Sequence, residues 1–175
     1  MRGRGILGAV AASLAALVAA PVAGAASEAQ VKAAYLVKLA SFVSWPVSAA
    51  GDTFRICTSG RPDVGSSLAE LSRNQEVGGK RIEPVQLGAR GADQVRGCQV
   101  LYLGRGGDTA HALLAATGRF PVLTVTDRDS GTRGGAIEFV QVDGRVRFAI
   151  NRREAESRQL ALSSKLMDVA VEVAP

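Results

Sequence analysis

Hydrophobic positions recur at helical spacing near the start of the chain. Val31, Tyr35, Leu39 and Phe42 follow at intervals of 4, 4 and 3 residues, with Ala34 and Val43 beside them. A 3.6-residue period puts such positions on one stripe, so residues 27–46 read as an amphipathic packing helix with Lys32 and Lys38 as surface charge. Ser27 and Gln30 have the form of a capping box at its start. Pro46 disfavours helical dihedrals at Trp45, so the helix is expected to stop near Ser44. The stretch holds Tyr35, Phe42 and the only Trp, three of the eight aromatics, and is expected to supply much of the core.

Period-2 and continuous apolar runs follow. Phe54, Ile56 and Thr58 alternate with Arg55, Cys57 and Ser59, which predicts a strand. Pro62 suits the first turn of a helix running to about Arg73 and burying Val64, Leu68 and Leu71. After Gly78-Gly79, residues 81–87 read as a strand that Pro84 confines to an edge. Residues 88–97 form a polar connection with room for a helical turn. Residues 99–103 are a nearly continuous apolar run, as strands covered on both faces are, and residues 121–127 read as another covered strand. Between them Asp108 is a plausible N-cap for a helix over 109–117.

Strand, helix and strand thus alternate over 54–127, which predicts parallel crossovers in an α/β sheet. The ending differs. Residues 136–142 and 145–150 flank Asp143-Gly144, a hairpin signal. Asn151 with Glu154 marks a helix start. Leu162, Leu166, Val169 and Val173 recur at 4, 3 and 4, and Ser163-Ser164 can start a second short helix. The expected fold is a single α/β domain, a mostly parallel sheet with flanking helices followed by a C-terminal β-hairpin and helix.

Composition changes the picture at the N-terminus. Arg2 and Arg4 precede an Ala-rich apolar run over 6–20, and Ala23-Gly24-Ala25 fits the small-x-small cleavage pattern. Residues 1–25 therefore read as a secretory signal peptide and 26–175 as the domain. A membrane anchor is the competing reading, weakened by Gly8, Ser13 and Pro21. Losing the two arginines lowers the formal charge from +5 to +3, short of the clustered basic footprint of a nucleic-acid binder. An anionic surface or acidic partner stays compatible. In an exported chain Cys57 and Cys98 are expected to pair, closing a loop of about 40 residues worth about 4 kcal/mol in the chain-entropy model. Two free buried thiols are the alternative.

Several segments taken together carry a resemblance. They are Tyr35 with Phe42-Val43-Ser44-Trp45-Pro46, Phe54-Arg55-Ile56-Cys57, Gly97-Cys98-Gln99-Val100-Leu101-Tyr102 and Pro121-Val122-Leu123-Thr124-Val125-Thr126-Asp127. Gly134-Gly135-Ala136-Ile137, residues 144–151 and Leu162-Ser163-Ser164-Lys165-Leu166 complete the set. In this order they resemble the YfiR-type periplasmic proteins. The resemblance implies an exported, non-enzymatic regulatory protein without cofactor. Its relative binds the periplasmic sensor region of an inner-membrane diguanylate cyclase and so lowers cyclic-di-GMP, and an outer-membrane lipoprotein relieves the repression. It also implies cysteines where Cys57 and Cys98 fall, and homodimers among its members. No cysteine follows Cys98, so the second pair associated with the repressor is missing.

Candidate chemistry is sparse. His111 is the only histidine and no G-x-S-x-G elbow accompanies it, so no catalytic residue is assigned. Asp127, Asp129 and Glu138 match three positions of an EF-hand loop, but Thr132 stands where its glycine belongs, and no metal site is assigned. Gly104-Arg105-Gly106-Gly107 follows a strand and precedes a helix, yet the G-x-G-x-x-G pattern fails at Thr109. A looser possibility is a rim at the carboxyl ends of the strands. Ser59, Arg61, Arg105, Asp127 and Arg128 fall there as candidate ligand or partner contacts. Arg152, basic at a helix start, is added as a partner contact. That rim supports the alternative of a small-ligand sensor or carrier for a nucleotide or amino acid. A solvated loop rim is the plainer reading.

Overall fold

The computed structural model describes residues 25–46 and 52–175; all but the last residue of the expected signal peptide 1–25 and most of the loop expected over 48–52 lie outside these. The first helix, α1 (Glu28–Ala40), opens on the capping box, with Ser27 Oγ accepting from Gln30 N–H and Gln30 Oε1 accepting from Ser27 N–H. It ends four residues earlier than expected because the chain is captured by a strand pair. Here β1 (Val43–Ser44) lies antiparallel to β9 (Ala161–Leu162).

The main sheet has eight strands, ordered β10-β8-β7-β6-β5-β2-β4-β3. Its centre is parallel: β4 (Lys80–Gln86), β2 (Phe54–Ser59), β5 (Val100–Leu103), β6 (Leu123–Asp127) and β7 (Ile137–Val142). On one flank the hairpin strand β8 (Arg145–Asn151) is antiparallel to β7, and β10 (Glu172–Ala174) pairs parallel with β8. Asp143 and Gly144 both take positive φ at the hairpin turn, as a type I′ loop requires. On the other flank β3 (Glu76–Val77) covers only Lys80 and Arg81 of β4, so Pro84 lies beyond its reach on an open edge.

Register sorts the side chains into two faces. Phe54, Ile56, Val100, Tyr102, Leu123, Val125, Ile137, Phe139, Phe148 and Ile150 point to one, beneath α1 and α2 (Pro62–Leu71). Cys57, Leu101 and Leu103 point to the other, beneath α3 (Asp108–Thr117) and the 3-10 turns Gly91–Gly97. Cys57 and Cys98 form a disulfide inside this second cluster, with Cα atoms 5.9 Å apart. It ties the interior strand β2 to the segment that leads into its neighbour β5.

The short connection from β6 to β7 has no crossover helix. Instead the backbone N–H groups of Ala136 and Gly135 bond Thr124 Oγ1 and Thr126 Oγ1, 3.0 and 3.3 Å away. A Cβ at Gly135 would lie 2.7 Å from Ile137 O, so this close approach needs glycine.

The C-terminal stripe splits, as Ser163 allowed. Asn151 Oδ1 accepts from Glu154 N–H to start α4 (Arg152–Ser157), and Ser163 Oγ accepts from Leu166 N–H to start α5 (Ser164–Asp168). Leu166 is buried, whereas Val169 and Val173 are exposed, Val173 within the strand β10 that the helical period did not anticipate. Leu71 also departs from expectation at 43% exposed, while Val64 and Leu68 are buried.

The orientation of α1 is the largest correction. The residues it buries are Ala29, Lys32, Ala33, Leu36, Leu39 and Ala40. Val31, Tyr35 and Phe42 are only half-buried and Ala34 is exposed. Lys32, expected on the surface, is 2% exposed. Lys38 is on the surface as expected.

Candidate functional site

Lys32 enters the molecule because an acid waits beneath it. Asp127 ends β6 on the helix-covered face, in register with Phe139 of β7, and has no exposed surface. Lys32 Nζ pairs with Asp127 Oδ2 and with Glu28 Oε1, the latter at 2.6 Å one helical turn away. Tyr102 Oη donates to the same Asp127 oxygen at 2.9 Å. Asp127 Oδ1 has no hydrogen-bond partner among the described residues. Burial, then the neighbouring Asp127 carboxylate, pushes the Tyr102 phenol well above its ordinary range.

The network runs outward from Glu28. Arg61 Nη1 reaches Glu28 Oε1 at 3.3 Å, and its Nη2 binds Asp63 Oδ2 at 2.7 Å. Gln141 Nε2 donates to Glu28 Oε2 at 3.1 Å. The Lys32 hydrogen bond holds Glu28 below the usual carboxylate range, and the Arg61 hydrogen bond does the same for Asp63. Gly104 makes room for this packing: a Cβ there would lie 2.4 Å from Arg61 Cγ. Chemically the cluster is closed, each cation facing an acid, and its inner end is buried. It fixes α1 on the sheet.

The candidate contact residues, five expected at the strand-end rim and Arg152 at a helix start, divide three ways. Arg61 and Asp127 belong to this network, joined through Lys32 and Glu28, which sequence reasoning missed. Ser59 and Arg105 line a separate cleft of about 550 Å³ between the carboxyl ends of β2 and β5 and the start of α3. Arg128 turns away to Glu138 at 2.6 Å and Glu172 at 3.5 Å, while Arg152 on α4 pairs with Glu156 at 3.1 Å. The structure does not gather these two with the others. The acids that mimicked an EF-hand are also engaged: Asp129 Oδ2 accepts from Gln141 N–H at 2.6 Å, and Glu138 Oε1 accepts from Gly134 N–H at 2.8 Å. Among the described residues no three His, Cys, Asp or Glu side chains gather to hold a metal ion. None of the described helices is long and apolar enough to cross a membrane.

The outward face of α1 has its own feature. Val31, Ala34, Tyr35 and Leu71 line a groove of about 770 Å³ between α1 and α2, with Lys38 and Glu70 on its margin. The Tyr35 ring packs 5.8 Å from both Phe139 and Phe148, so the groove wall is anchored to the core. The helical signal in the sequence was genuine, but half of its apolar stripe faces this groove.

No curated protein matches the chain. The YfiR/HmsC-like family model matches residues 29–171, from the first turn of α1 to the start of β10. This span takes in Lys32, Arg61, Tyr102 and Asp127 of the ion-pair cluster, the disulfide and nearly all of the lining of both clefts, and the chain belongs to the YfiR/HmsC-like family.

Proposed function

We propose that this protein is a periplasmic regulator that binds the exported region of an inner-membrane diguanylate cyclase and holds its cytoplasmic output low. The family match over residues 29–171 carries this reading. The leader-like start and the Cys57–Cys98 disulfide support the compartment, since disulfides persist where the environment oxidises. The α1–α2 groove is the docking surface: its apolar floor of Val31, Ala34, Tyr35 and Leu71 suits an apolar face of the cyclase's exported region. Regulation is a population shift. A partner that binds one receptor conformation better than another moves the equilibrium by that difference in affinity. An outer-membrane lipoprotein competing for the regulator would release the cyclase.

Deleting the gene should raise cellular cyclic-di-GMP, and the tagged protein should co-purify with a membrane cyclase. Leu71→Asp or Val31→Asp should abolish capture while leaving the fold intact by circular dichroism. Unchanged cyclic-di-GMP on deletion, or undiminished capture by both folded variants, would refute the reading.

A further inference from the structure

The cleft between β2, β5 and α3 lies on the opposite face of the sheet from the α1–α2 groove. Its floor is apolar, formed by Leu87, Leu103 and Ala110. Its polar groups are arranged differently from those of the buried cluster. Ser59, 7% exposed, points its side chain to this face, and its hydroxyl has no hydrogen-bond partner among the described residues. Arg105 is exposed on the loop beside Gly60 and forms no ion pair among them.

Ten-residue α3 opens toward the same space. His111 N–H makes the first intrahelical bond, to Gly107 O at 3.1 Å, and no side chain caps the turn. The amides of Asp108, Thr109 and Ala110 therefore lack intrahelical acceptors. Gly107 is the N-cap residue at φ 114°, and a Cβ placed there would meet nothing within 4 Å.

We propose that this cleft binds a small organic carboxylate. Free amides at a helix start and one guanidinium attract an oxyanion, and the Ser59 hydroxyl gains the partner it lacks. Asp108, in the same cleft, offsets much of the positive charge. The site thus favours a monoanion over a doubly charged phosphate. The apolar floor receives the body of the acid, and a volume of about 550 Å³ falls within the range of small-molecule sites, roughly 300–1,000 Å³. Carboxylate binding here is independent of partner capture on the other face, so either can fail alone.

Amide NMR of the mature protein, titrated at constant ionic strength with acetate, benzoate and inorganic phosphate, tests the assignment. The carboxylates should shift the amides of Asp108, Thr109 and Ala110 saturably. Arg105→Gln should weaken that binding by about tenfold, the effect of one charge-assisted contact, and Ser59→Ala should weaken it by a smaller factor. The same spectra show that the variants are folded. Shifts that stay linear to the highest concentration, equal affinity in Arg105→Gln, or phosphate saturating these amides more tightly than either carboxylate would overturn the proposal.

Discussion

Replacing Lys32 by Met tests the physical account of α1. The change removes an ammonium that is 2% exposed and keeps a flexible apolar stem of similar length. It strands Asp127, which has no exposed surface and, among the described residues, no partner for Oδ1 and only the Tyr102 hydroxyl left on Oδ2. Breaking a buried ion pair from one side costs about 3–5 kcal/mol. For a domain of this size that corresponds to a drop of roughly 6–20 °C in Tm. Asp127→Asn should cost less, about 1–3 kcal/mol, because Lys32 keeps Glu28 at 2.6 Å and Tyr102 keeps an acceptor. The double variant removes both charges, so it should be more stable than the sum of the single losses allows. The coupling should be at least about 2 kcal/mol. Urea unfolding at pH 7 with the disulfide intact measures all three. A Lys32→Met loss below about 1 kcal/mol, with additive behaviour in the double variant, would refute the claim that this pair fixes the helix.

Three further outcomes follow from the same geometry. Reducing the Cys57–Cys98 bridge, or replacing both cysteines by Ala, should lower stability by about 4 kcal/mol by the chain-entropy relation, read as a lower urea midpoint; intact mass should rise by two hydrogens on reduction. Glu28 and Asp63 titrate lower in the folded protein than in the unfolded chain, so their contribution is present above the unfolded pKa, about 4, and disappears as pH falls through the folded values. The urea midpoint should fall on acidification below pH 4, and Glu28→Gln should flatten that fall. Tyr102 behaves oppositely: the unfolded chain releases the phenol proton near pH 10 while the folded protein retains it, so stability should decline as pH rises above about 10. Tyr102→Phe should lessen that decline.

Element type was legible where local chemistry decides it. The capping box at Ser27, the Asp143-Gly144 turn, and the Asn151 and Ser163 helix starts each depend on a few neighbouring residues, and each stands as read. The nearly continuous apolar run at 99–103 likewise calls for a strand covered on both faces, and every residue of β5 is buried. Periodicity failed where an element has more than one apolar side. α1 carries Val31, Ala34 and Tyr35 on one side and Ala29, Ala33 and Leu36 on another, so hydrophobicity alone does not choose which turns inward. The choice rests on Lys32 meeting Asp127, residues 95 positions apart that only the β6 register and the docking of α1 bring together. The strand pairs β1–β9 and β8–β10 are also non-local; they shorten α1 and turn the end of the helical stripe at Val173 into an edge strand. The sequence by itself determined the local turns, caps, covered strands and alternating α/β order, because neighbouring residues set them. The tertiary structure alone decided which side of α1 is buried, which rim residues share a cleft, and where the charges pair, because those depend on distant segments meeting.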